Sequence, residues 1–192
     1  MSSSTAYQIF LANTFAFEGG FDQNPHDRGN WTGGIVGKGV FGGTRFGISS
    51  ATYASIHEQL PDVVLPGGVA HLTRDQAEII YKRLYWDAVH GDELPWALAL
   101  VLADDAVNGG VDGAIKRLQH VFGINADGVF GPETLRHAKA CEDGQKVILS
   151  LLLTERIIAD MKSAQWGDDG EGWLHRVTTL ALFAGQFADL TP

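Results

Sequence analysis

The chain has 192 residues and a mass of 20.7 kDa, enough for one domain or two small ones and for a core that needs no disulfide or structural metal. Hydrophobic residues at 45% and charged residues at 19% exclude wholesale disorder, and a net charge of −9 argues against a general electrostatic grip on nucleic acid or anionic lipid. The single cysteine, Cys141, can make no internal disulfide, so the fold does not call for an oxidising compartment.

The start, Met1-Ser-Ser-Ser-Thr5, has no basic stretch followed by an apolar one; no signal peptide is expected, and synthesis in a cytoplasm is. Tyr7, Phe10, Leu11, Thr14 and Glu18 then keep the spacing of one helix face, with Ser2 to Thr5 as N-cap candidates and Gly19-Gly20 as the stop. Glycines crowd the next segment, from Gly29 to Gly47. Each disfavours helix by roughly 1 kcal/mol relative to alanine, so turns or a short hairpin are expected there. Helices are expected at about 50–59 and, with Thr73 and Gln76 as a capping box, at 73–87, separated by a loop at Pro61–Gly68. Further helices are expected near 95–107, 111–122, 132–140, 145–163 and 173–189, with Pro95 and Pro132 in first turns and Gly123 as a C-cap. Aliphatic runs such as Val147–Leu153 are far short of a membrane span. A division near Leu94-Pro95, into 1–94 and 95–192, fits either two domains or two lobes of one.

Glu18 sits where helix physics disfavours a carboxylate. It is the last residue before the Gly-Gly stop, at the negative end of the helix dipole, and Phe15, Phe17 and Phe21 flank it. Dipole and desolvation both push its pKa up, toward a carboxylic acid that keeps its proton near neutral pH and can act as a general acid. The plainer alternative is an exposed glutamate at a helix end.

Phe17-Glu-Gly-Gly-Phe21, then Asn24-Pro-His-Asp-Arg-Gly29, then Gly43-Thr-Arg-Phe-Gly-Ile-Ser49, resembles glycoside hydrolase family 108, the lysozyme-like N-acetylmuramidases that include many phage endolysins. The resemblance continues through Thr73–Ala77, Ile80-Tyr81, Tyr85-Trp86, Asp104 and Val107-Asn108-Gly109. Leu118-Gln119, Asp127–Thr134 and Gly172–Val177 resemble the peptidoglycan-binding half that accompanies the family. The chain departs from the commoner pattern at Asn30–Phe41, a glycine-rich insertion between the Asp-x-Gly turn and Gly-x-Thr. The resemblance places the catalytic glutamate on Glu18. It implies an all-α, lysozyme-like fold with a small irregular or β-hairpin segment near residues 29–47.

Glycoside hydrolysis passes through an oxocarbenium-like transition state, so a second anionic or water-orienting group is expected. Asp27, nine positions after Glu18, is the first candidate, and an Asx-turn cap is its alternative. Thr44 is the next, as a hydroxyl that holds the attacking water or as a plain turn residue; Asp22 ranks lower. Trp31, Arg45, Tyr85, Trp86 and Asn108 are candidates for sugar contact. Against this, aromatic pairs at helical spacing are usually core, and Asp104 and Asn108, four apart among apolar neighbours, suit a structural role. Arg176 reads as a structural ion-pair member.

The seven histidines lack H-x-x-x-H and H-x-x-E-H spacing, and the glycine-rich loop lacks phosphate-binding signatures, so no metal or cofactor is expected. The resemblance implies peptidoglycan glycan strands as the partner, with no nucleic acid and no membrane insertion, and a monomer acting at the wall once the membrane is breached. Arg28, Lys38 and Arg45 are expected to offset the net negative charge at the site. Two rivals stay open: a lytic transglycosylase on the same bond, and a non-catalytic wall-binding or virion module.

Overall fold

The computed structural model describes residues 3–17, 20–63, 65, 67–141 and 144–187. Among the described residues, eight α-helices carry the architecture: α1 (Ser3–Phe17), α2 (Ser50–Gln59), α3 (Arg74–Tyr81), α4 (Trp96–Gly109), α5 (Val111–Phe122), α6 (Pro132–Ala140), α7 (Gln145–Met161) and α8 (Trp166–Phe187). One two-stranded antiparallel sheet, β1 (Thr44–Arg45) with β2 (Ile48–Ser49), lies within this all-α frame. The chain divides into two compact units, residues 1–13 with 82–192, and residues 14–81.

The first unit is helical and built around α4. Every residue from Ala97 to Ala106 is buried, and α5, α7 and α8 pack against it. A stretch that is apolar on every side, as Ala97–Ala103 is, is stable only when enclosed in this way. The neighbours contribute Ala114, Ile115 and Leu118 from α5, Leu149 and Leu152 from α7, and Val177, Leu180 and Ala184 from α8. Gly123 closes α5 in the left-handed conformation, its N–H reaching the carbonyls of Gln119 and His120, and Pro132 opens α6. Pro95, expected in the first turn of α4, is its N-cap.

The helix expected over 73–87 is two elements. Thr73 and Gln76 form the capping box, with Thr73 N–H donating to Gln76 Oε1 at 2.9 Å and Gln76 N–H to Thr73 Oγ1 at 3.3 Å. After Tyr81 the chain widens into a π-helical turn, Lys82–Trp86, closed by Asp87 N–H on the Lys82 carbonyl. The wider turn belongs to a segment that buries Trp86 completely, against Tyr7 at 5.5 Å and Phe10 at 5.6 Å between ring centroids. Gly91 has no Cβ because the Trp86 indole occupies that space, and Trp86 Nε1–H donates to Asp92 Oδ1 at 2.7 Å.

The second unit holds the glycine-rich segment. Its core is Ile48, Ile56, Leu60, Val69, Leu72, Ala77 and Ile80. Ser49 N-caps α2 by accepting from Thr52 N–H at 3.1 Å. The regular hairpin falls at the end of the segment, with Thr44 opposite Ser49 and Arg45 opposite Ile48. Residues 31–41 are a looser loop, closed by an isolated bridge between Trp31 and Phe41, by Thr32 N–H on the Val40 carbonyl at 3.0 Å and by Gly33 N–H on the Lys38 carbonyl at 3.1 Å. Five glycines with positive φ interrupt the region from Gly34 to Gly47, which allows turns and prevents a longer ladder.

Candidate active site

Glu18 lies outside the described residues. The other catalytic candidates, Asp27 and Thr44, fall in the second unit, where a sequence of turns positions them. His26 N–H donates to Asn24 Oδ1 at 3.0 Å, and Asp27 N–H to the Asn24 carbonyl at 3.2 Å. Asp27 Oδ1 then accepts from Gly29 N–H at 2.8 Å and caps a 3₁₀ turn, Arg28–Asn30. Asp27 thus makes the expected Asx turn through Oδ1, and its carboxylate is exposed.

That turn delivers Asn30 into the interior, where it is 0% exposed. Its Nδ2 donates to Asp22 Oδ2 at 2.7 Å and to the Asn24 carbonyl at 3.0 Å. Its Oδ1 accepts from the Thr44 hydroxyl at 2.6 Å. Its backbone carbonyl takes Gly42 N–H at 2.9 Å and Gly43 N–H at 3.3 Å. Asp22 and Thr44 also exchange backbone hydrogen bonds, 2.9 Å in each direction. Three polar side chains, 8 and 14 positions apart in turn along the chain, are thus brought to one point. Sequence reasoning passed over Asn30; its only signal was an amide side chain directly after the Asp-Arg-Gly turn.

The strand pair behind Thr44 is held by an unusual turn. Phe46 and Gly47 both have positive φ, 52° and 71°, the two-residue geometry that matches strand twist and that glycine or asparagine normally supplies at its first position. Phe46 tolerates it because its surroundings fix it. Its carbonyl accepts from the Tyr81 hydroxyl at 2.9 Å, and its ring meets Phe15, which in turn meets Tyr81 edge-on at 5.6 Å. Arg45 lies over the Phe46 ring at 5.3 Å and donates Nη1–H to the Ala70 carbonyl, so this cation braces the hairpin. Trp31 is half-buried: its Nε1–H donates to the Pro25 carbonyl at 3.0 Å and its ring stands 5.3 Å from that of Phe41. Ile35, Val36, Lys38 and Val40 are exposed on the same loop.

The remaining candidates belong to the helical unit. Trp86 is a core residue with no exposed ring face, and Tyr85 is half-buried. Asn108 is exposed, its Nδ2 donating to the Asp104 carbonyl at 2.9 Å. Asp104 is fully buried and structural: Arg156 Nη1 reaches Oδ2 at 2.7 Å, and Arg176 reaches Oδ1 through Nη2 at 2.8 Å and Nε at 3.1 Å. Burial alone would raise its pKa, but the two guanidinium groups prevail and hold the carboxyl below its ordinary value. Asp105 likewise pairs with Arg117 through two bonds of 2.8 Å.

Between α5 and α6, buried Gln119 organises the Asp127–Thr134 loop. Its Nε2 donates to Asp127 Oδ1 at 2.8 Å and to the Val129 carbonyl at 3.0 Å, and its Oε1 accepts from Gly128 N–H at 2.9 Å. Val129 N–H and then Gln119 lower the pKa of Asp127. Among the described residues, no group of three or more His, Cys, Asp or Glu is placed to hold a metal ion. Nor is any helix among them long and apolar enough to cross a membrane.

Comparison with known proteins places these features in context. No curated protein matches the chain. Among solved structures the chain is similar to one described as the structure of Brucella abortus SagA, with a TM-score of 0.80 and 27% identity over 98% of each chain. The Glycosyl hydrolase 108 family model matches residues 11–110, a stretch that contains Glu18, Asn30, Thr44 and the buried Asp104. With more than half of its length matched, the chain belongs to glycosyl hydrolase family 108 and is a glycoside hydrolase.

Proposed function

We propose that the chain is an N-acetylmuramidase, hydrolysing the β-1,4 bond between N-acetylmuramic acid and N-acetylglucosamine in peptidoglycan, in the role of a phage endolysin. Glu18 is the general acid. It hands its proton to the glycosidic oxygen as the bond to the anomeric carbon breaks, and water then captures the oxocarbenium-like centre. Asp27 shapes the turn that carries Asn30, and Thr44 holds the water. Trp31 offers a partly exposed ring to a sugar face, and the exposed Asn108 is a second candidate contact. The loop that Gln119 organises, Asp127–Thr134, supplies further contact with the wall.

The observation that carries this reading is the Thr44 hydroxyl, whose hydrogen is committed to Asn30 at 2.6 Å in a glycoside hydrolase. A hydroxyl fixed in this way accepts a hydrogen bond from water. A transglycosylase, which closes the muramyl 6-hydroxyl onto the anomeric carbon, has no use for that. The protein acts as a monomer and reaches the wall after a holin or other damage breaches the membrane. Clearing of outer-membrane-permeabilised Gram-negative cells tests the reading: wild type lowers turbidity and Glu18→Gln does not. Equal clearing by Glu18→Gln overturns it.

A further inference from the structure

Aliphatic side chains gather at the tip of the loop of residues 31–41. Ile35 is 57% exposed, Val36 49% and Val40 69%, and Lys38 stands exposed among them. Single exposed aliphatic residues are ordinary on a protein surface, but three within six positions form a patch. The loop holds them in place. Val40 N–H donates to Thr32 Oγ1 at 2.9 Å, beside the two backbone bonds that close the loop. At the tip Lys38 N–H closes a four-residue turn on the Ile35 carbonyl at 3.0 Å, with Gly37 third in the turn at φ 80°, where glycine is favoured. A Cβ on Gly37 would meet nothing within 4 Å, so the head of the turn stands clear of its surroundings. The aliphatic residues are therefore displayed by a pre-formed turn, and little ordering is left for binding to impose.

Charge is sorted the same way. Residues 28–57 contain Arg28, Lys38 and Arg45 and neither Asp nor Glu, in a chain whose net charge is −9. The nearest preceding carboxylates are tied to the base of the segment: Asp22 Oδ2 accepts from Asn30 Nδ2 at 2.7 Å, and Asp27 Oδ1 from Gly29 N–H at 2.8 Å. At physiological ionic strength charges are screened beyond about 8 Å, so a surface that touches the tip senses Lys38 more strongly than the chain's net charge.

An aliphatic tip has no ring face to lay on a sugar and no group to bond its hydroxyls. It suits a hydrocarbon phase, and the lysine beside it suits a phosphate. Lysine extends its ammonium to the headgroup level while its stem lies along apolar matter, and an indole favours that same level. Trp31, half-buried against Phe41 at the base of the loop, supplies one.

We propose that Ile35–Val40 is a membrane-contact element. Ile35, Val36 and Val40 enter the acyl boundary of a bilayer that contains anionic phospholipid, and Lys38 pairs with the lipid phosphates. The contact is shallow and reversible, needs no spanning segment, and does not depend on which bond the enzyme cleaves. It holds the glycine-rich segment against the membrane face.

The test floats the full chain with vesicles of phosphatidylethanolamine containing roughly one part in four phosphatidylglycerol, and with vesicles of phosphatidylcholine alone. Wild type binds the anionic vesicles about tenfold more than the neutral ones, and about 1 M salt removes most of that preference. Lys38→Gln lowers binding to the anionic vesicles about fivefold, the share of one lysine at a charged surface. Ile35→Ser combined with Val36→Ser lowers it by about tenfold or more, yet keeps the Tm and the release of fragments from purified peptidoglycan. Should the double variant fail to fold, Val40→Ser decides, with a smaller loss of the same kind.

No binding of wild type to either vesicle, equal binding to both, or undiminished binding by the folded serine variants overturns the proposal. So do two other results. A double variant that keeps vesicle binding and loses glycan release makes the tip a substrate contact. A wild type that ignores vesicles and self-associates through Ile35 and Val36 makes it a contact with a second copy. Wild type that binds anionic vesicles but releases no glycan fragments would leave the membrane contact standing and overturn the muramidase reading alone.

Discussion

Replacing Asp104 by Asn is the sharpest probe of how the helical unit is held. The substitution keeps the side-chain volume and removes one buried charge. Asp104 accepts from Arg156 Nη1 at 2.7 Å, from Arg176 at 2.8, 3.1 and 3.2 Å, and from Asn13 Nδ2 at 3.3 Å. An Asn has one acceptor oxygen, and its NH₂ group would face a guanidinium. Arg156 keeps weak contact with Asp105 and Asp160, each at 3.8 Å, which does not replace the lost bond. Breaking a buried ion pair from one side costs about 3–5 kcal/mol. For a chain of this size that lowers Tm by roughly 6–20 °C.

Guanidinium chloride unfolding at neutral pH measures the cost through the midpoint. A loss below about 1 kcal/mol, the size of an ordinary surface ion pair, would refute the reasoning. The pH dependence is a second check. Because the Asp104 carboxyl titrates below its ordinary value when folded, its contribution is fully present above the ordinary carboxylate range. It is lost as pH falls through the folded value. The gap between wild type and Asp104→Asn therefore narrows only in acid.

Trp86→Ala should cost about 3–5 kcal/mol, as removal of a large buried ring does, and should leave the KM of the folded fraction unchanged; raised KM at full stability would make Trp86 a sugar contact instead. Gly43→Ala should abolish activity while far-ultraviolet circular dichroism stays helical. Gly43 has φ 83°, and a Cβ there would overlap the Asp22 carbonyl oxygen that pairs with Thr44; full activity in this variant would refute the need for that pairing. Gln119→Leu should lose about 1–3 kcal/mol for each buried partner left unpaired, read by thermal unfolding, and an unchanged Tm would contradict its role in the 127–134 loop.

Local chemistry made much of this fold legible. The Thr73–Gln76 box, Gly123 after α5 and Pro132 at the head of α6 act through residues three or four apart, and all three formed as read. The setting of Arg176 marks it as an ion-pair member, although its partner 72 positions earlier is fixed only by helix packing. The π turn at Lys82–Trp86 had no local code, because nothing in its residue types distinguishes it from continuing helix. Asn30 is the instructive omission. Asp and Thr attract attention as chemical groups, whereas a buried amide gains meaning only from the Asp22 and Thr44 atoms that folding brings to it.

Product analysis of purified peptidoglycan, digested side by side with wild type and Glu18→Gln, tests the central claim most directly. The account predicts that wild type releases fragments ending in reducing N-acetylmuramic acid and that Glu18→Gln, folded equally well, releases none. Fragments ending in 1,6-anhydro-muramic acid from wild type, or undiminished release by Glu18→Gln, would contradict it.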